Sequence, residues 1–164
     1  MWYKVRVTLF LASLYNWLLL AHILAAMVWL GALVILVAFA VRILRSGEAD
    51  EAGRFVGSLR VIGPLALAPA PLTLLAAGLA MVGDSDAWDF GQGWVQLGIG
   101  LFAAAFVVGA AHQSRTAIAA ERFAASGDHA AALAQLRRWA WGTALIVALI
   151  VLATWDMVFK PGLT

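Results

Sequence analysis

Cysteine is absent from this chain of 164 residues, which excludes disulfides, thiolate-held metals and iron–sulfur clusters. Charge is scarce too. Asp, Glu, Lys and Arg make up 12% of the residues, against about a quarter in an ordinary soluble domain. The net charge is only +2 and the basic residues sit at the ends of apolar runs, an arrangement that argues against nucleic acid as a partner. Met27, Met81 and Met157 form no closely spaced pair, which speaks against a copper relay. What remains is apolar: 64% of the chain is hydrophobic, more than a soluble domain of this length could hide. The sequence reads as an integral membrane protein surrounded by lipid, one transmembrane domain over residues 1–164.

The stretch Trp17–Arg42 organises the rest. Between those two residues run 24 positions whose one ionisable side chain is His22. About 20 apolar residues cross a bilayer core, so the stretch predicts a transmembrane helix. Helical spacing puts Tyr15, Leu18, His22, Ala25, Ala26, Trp29 and Leu33 on one face. A histidine in lipid costs free energy and should face protein or a bound group. Small residues one turn away and aromatic rings two turns away leave room for something flat. The plainer alternative is a buried histidine hydrogen-bonded to a neighbouring helix. Lys4 and Arg6 before the apolar run imitate a signal peptide, but the run continues to Val41, too long for a signal core, so the segment is expected to be retained.

Further along, the pattern predicts an all-α, four-transmembrane-helix bundle with short cytoplasmic amphipathic extensions. The helices fall at about 12–45, 64–82, 94–125 and 129–159. Ser46-Gly47 and Ser126-Gly127 punctuate the two hairpins, and Asp128 is a good N-cap. Residues 48–60 suit an amphipathic helix lying at the membrane surface. Pro69 and Pro71 each lack an amide hydrogen, so the second helix should bend or open there. The two hairpins echo one another weakly, as a parallel duplication would.

Eight arginines lie in the two long loops, against Lys4, Arg6 and Lys160 on the other side. That asymmetry predicts cytoplasmic loops and both termini outside. Measured from the arginine boundary at 1.5 Å per residue, His22, Met81, Gln96 and Asp156 share a level in the outer half. His112 lies near the inner boundary, offset from His22 by on the order of 15 Å or more, which disfavours one haem held between the two. Asp156 has two readings: an exposed i,i+4 pair with Lys160, or an inward carboxyl that orients His22 or exchanges a proton with it. Most tryptophans, including Trp88, Trp94, Trp139, Trp141 and Trp155, read as interfacial belt residues, with Trp29 the mid-membrane exception.

The H-x6-W-x-G core of His22, Trp29 and Gly31 resembles the first helix of small CopD-like and HemJ-like bacterial membrane proteins, and the ending Met157–Pro161 resembles that of HemJ-type proteins. The same layout is shared by a poorly characterised family of predicted integral membrane proteins. The resemblance implies a bacterial inner-membrane location, haem b linked to His22, and an activity of the protoporphyrinogen oxidase type. The functional lysine of that family, near the start of the third helix, appears here as Gln96, and the tyrosine–histidine that often closes its first helix is missing. The expected site therefore comprises His22 as iron ligand with Tyr15, Ala25, Ala26, Trp29, Met81, Gln96 and Asp156 around it, and His112 as the less favoured metal ligand. The expected role is electron transfer or redox chemistry with a redox partner. The other readings are a cofactor-free assembly factor, a transporter subunit or partner of a larger membrane complex, a homo-oligomer, or a porphyrinogen oxidase.

Overall fold

The computed structural model describes residues 2–162, with side chains from residue 14 onward except at 49, 60, 61, 64 and 66. The side chains of Lys4, Arg6 and Arg60 (one of the eight loop arginines), used above as topology markers, and that of Trp2, lie outside the described residues. Every described element is helical: α1 (Trp2–Ser46), α2 (Ala49–Ile62), a π-helical segment Gly63–Leu67, α3 (Pro69–Gly83), α4 (Gly93–Val107), a second π-helical segment Val108–Gln113, α5 (Ser114–Ala125) and α6 (His129–Phe159). The first helix starts at Trp2, ten residues before the expected boundary.

Residues 14–46, 93–125 and 129–159 are long and apolar enough to cross a membrane. α3 has 15 residues and rises only about 22 Å, short of a hydrocarbon core of about 30 Å. The structure thus supports three spans and a shorter apolar helix, where the sequence suggests four spans.

The expected opening before the prolines is present. Pro69 and Pro71 cannot donate to the carbonyls of Leu65 and Leu67. The backbone widens to π register over Gly63–Leu67, the Ala68 amide reaches back to the Gly63 carbonyl at 3.0 Å, and α3 begins afresh at Pro69. The second π segment has no proline to cause it. It sits in the first helix of the second hairpin, whereas the proline-linked one sits in the second helix of the first. The hairpins are therefore not parallel copies in detail.

At the other turns the chain reverses through glycines in the left-handed region, Gly47 (φ 74°) and Gly127 (φ 77°). After α5 the Asp128 amide bonds to the Phe123 carbonyl and the Gly127 amide to that of Ala124, closing the helix end in a Schellman arrangement. Asp128 then caps α6 by accepting from the Ala131 amide at 3.0 Å.

Two buried clusters stack along the bundle. Near the arginines, Ala52, Val56 and Leu59 of α2 pack against Ala40, Ala120, Leu136 and Trp139. The amphipathic α2 is thus clamped between α1, α5 and α6 and does not lie alone on the surface. Trp139, expected in the belt, is 3% exposed and meets the edge of the Phe55 ring. The second cluster, mid-bundle, joins Trp29 and Leu33 to Ala70, Ala105, Ile146 and Ile150. Lipid tails are as apolar as leucine, so this cluster is held by close packing over small residues and not by escape from water.

The packing order is what shapes the site. α1 packs on α3 and on α6, and α6 packs on α4, while no comparable packing joins α3 to α4 among the described residues. The four apolar elements run α3–α1–α6–α4 around a cleft. α1 and α6 form its floor and α3 and α4 its walls.

Candidate functional site

The half of the cleft away from the arginines holds a cavity of about 550 Å³, within the range of small-molecule and cofactor sites. His22 of α1 lines it, at the α1–α3 contact. Its Nδ1 lies 2.8 Å from the Leu74 carbonyl oxygen. A carbonyl can only accept, so Nδ1 carries the proton and the neutral ring keeps its lone pair on Nε2. The hydrogen bond of the plainer reading is present, yet it satisfies one nitrogen and leaves the other without a hydrogen-bond partner among the described residues. Gly78, one turn beyond Leu74, lets the imidazole lie close on α3. A Cβ there would come within 3.0 Å of Cε1 and 3.2 Å of Nδ1.

Tyr15, Ala26, Trp29 and Met81 line the same cavity. Ala25 is buried in helix packing, off the cavity wall. Gln96 is exposed at the start of α4, its amide donating to the Phe90 carbonyl at 3.3 Å. Opposite Trp29 stands Phe102 of α4, their ring centroids 5.8 Å apart. Trp29 and Ala105 also line a second cavity of about 610 Å³ toward the arginines, so this pair partitions the cleft.

At the far end stands an aromatic group that composition does not reveal. Trp94, only 6% exposed, meets Trp88 edge to face, and the Lys160 ammonium lies 3.8 Å over the Trp88 ring. Trp88, Trp94 and Lys160 all line the outer cavity. Trp17 and Trp141, by contrast, are exposed as belt residues should be.

Asp156 is fully buried, and neither carboxyl oxygen has a hydrogen-bond partner among the described residues. The exposed pair with Lys160 is not the arrangement found. Lys160 takes a left-handed backbone (φ 44°) that turns its side chain toward Trp88. Asp156 lies behind Gly98 and Met157, which line the cavity, and its Oδ2 is 3.3 Å from where a Gly98 Cβ would stand.

His112 is elsewhere. It sits in the second π segment, where its Nε2 donates to the Arg138 carbonyl at 3.2 Å and its ring covers Gly142. Beside it Gln113 bonds to the Thr143 hydroxyl, which in turn donates to the Trp139 carbonyl at 3.0 Å. Among the described residues no group of three or more His, Asp or Glu side chains is placed to hold a bare metal ion.

Sequence reasoning missed Leu74, Gly78, Gly98, Phe102 and Lys160. Gly78 and Gly98, set in apolar helices, were the available signal, since such glycines mark close approach.

A helical membrane protein with a polar group set into an apolar cleft is the class these features define. The chain belongs to the family described as predicted integral membrane protein (DUF2269), whose sequence profile matches residues 16–161. No curated protein and no solved structure matches it.

Proposed function

We propose that this protein binds haem b in the outer cavity through His22 and serves electron transfer in the membrane. The observation that carries the reading is the hydrogen bond from His22 Nδ1 to the Leu74 carbonyl. It fixes the tautomer and ring orientation, and it leaves Nε2 as the electron-pair donor, as outer-shell partners do for histidine ligands. The other residues fit the same group. Trp29 and Phe102 offer flat apolar walls, and Lys160 brings a cation to the rim that suits the carboxylates of a haem. When bound, the haem would supply a one-electron couple, tuned by the histidine that would hold it and by its apolar surroundings. The chain's own part is to hold and orient the imidazole, exclude water and close the outer end with Trp88 and Trp94. The porphyrinogen oxidase reading draws no support from Gln96, which stands where that family has its lysine and is turned to the loop.

Absorption spectra of the detergent-purified protein test this. Wild type should show a Soret band, with α and β bands on reduction. His22→Ala should lose them, and His112→Ala should keep them because His112 is committed to Arg138. Equal loss in both folded variants would favour a bis-histidine site instead. A colourless wild type, purified from cells well supplied with haem, would rule the reading out.

A further inference from the structure

Asp156 is the one described acidic side chain that is both fully buried and without a hydrogen-bond partner. It lies in the last turn of α6, against Gly98 of α4, one turn from Lys160 at the helix end. An ionised carboxylate out of water needs a counter-charge or several donors. Among the described residues, the groups facing it supply neither. The described part of α4 between Gly93 and Val107 contains no ionisable residue, and neither does α3. On α1 the outer cavity presents Tyr15 and His22, and the His22 proton is committed to Leu74. Asp84, Asp86 and Asp89 of the connecting loop are exposed and of the same sign. Lys160 has its amide on the Asp156 carbonyl at 2.8 Å, but its ammonium is over Trp88. A metal cation would need several oxygen ligands, and the described residues assemble no such group. The proton is the cation that a lone carboxyl can hold.

We propose that Asp156 is an intramembrane proton-exchange site, a carboxyl that resides as the neutral acid behind the Gly98–Met157 wall and trades its proton with the aqueous face beyond Lys160. The exchange forms and breaks one O–H bond, the proton coming from and returning to water, and it involves no electron. It does not rest on the haem reading. Gly98 makes the position possible, because a Cβ there would meet Met157 Cε at 2.9 Å and Asp156 Oδ2 at 3.3 Å.

Infrared spectroscopy of the whole protein in lipid at neutral pH reads this directly. Wild type should show the carbonyl stretch of a protonated carboxylic acid, moved to lower frequency in D2O and by carbon-13-labelled aspartate. Asp156→Asn should abolish the band, since the other aspartates, Asp50, Asp84, Asp86, Asp89 and Asp128, are all exposed. If Asp156→Asn fails to fold, the labelled wild type still decides, because no other aspartate is buried. A labelled wild type without a protonated-carboxyl band at neutral pH, or a band unmoved in a folded Asp156→Asn, would overturn the proposal.

Discussion

At the scale of single residues, the site is made by side chains that are missing as much as by those present. The imidazole of His22 can lie on α3 only because position 78 carries no Cβ. In Gly78→Ala the new methyl must displace the ring or part α1 from α3, and such overpacking costs about 1–3 kcal/mol. We expect a lower melting temperature together with weaker haem retention, read in one sample by thermal unfolding and by the ratio of Soret to protein absorbance. A Gly78→Ala protein equal to wild type in both would show that the His22–Leu74 geometry is not critical. His22 itself was legible in the sequence, because one ionisable group in 24 apolar positions is hard to overlook. Its partner was not. Leu74 offers only a backbone carbonyl, identical in every residue, and which carbonyl it meets depends on the neighbour that α1 chooses. Of the two readings of Asp156, the exposed i,i+4 pair with Lys160 is not the one found: the carboxyl is buried and the Lys160 ammonium lies over Trp88.

At the scale of elements, prolines and glycines were dependable guides and tryptophans were not. Pro69 and Pro71 marked the opening of the second helix, and Ser-Gly marked both hairpin turns. The opening at Val108–Gln113 has no proline, and Gly109 alone does not announce it in sequence. Trp139 and Trp141 look alike in sequence, two apart just after Arg137-Arg138, yet helical geometry sends them to different surroundings. Trp139 is locked among Phe55 and the inner cluster, while Trp141 is 74% exposed. Trp139→Ala should therefore cost about 3–5 kcal/mol as a core truncation. Trp141→Ala should stay within about 0.5 kcal/mol, as exposed substitutions do. Denaturation of the two variants in mixed micelles compares them, and a Trp139→Ala as stable as Trp141→Ala would mean that α2 does not clamp the inner end.

At the scale of the whole molecule, membership of the membrane class was written in composition, but the arrangement of the helices was not. A helix immersed in lipid is apolar all round, so hydrophobicity does not say which face meets which neighbour. The order α3–α1–α6–α4, with its cleft between α3 and α4, became visible only in three dimensions. That order decides the function proposed here, because it sets His22, Trp29, Phe102 and Lys160 around one cavity and leaves His112 outside it. The central claim is that His22 acts as a ligand through Nε2 and does more than fill space. Replacing His22 by glycine and adding free imidazole tests it most directly. The account predicts that His22→Gly lacks the Soret band of the wild type and that imidazole restores it as the concentration rises. A His22→Gly protein that keeps the wild-type spectrum without imidazole would contradict it.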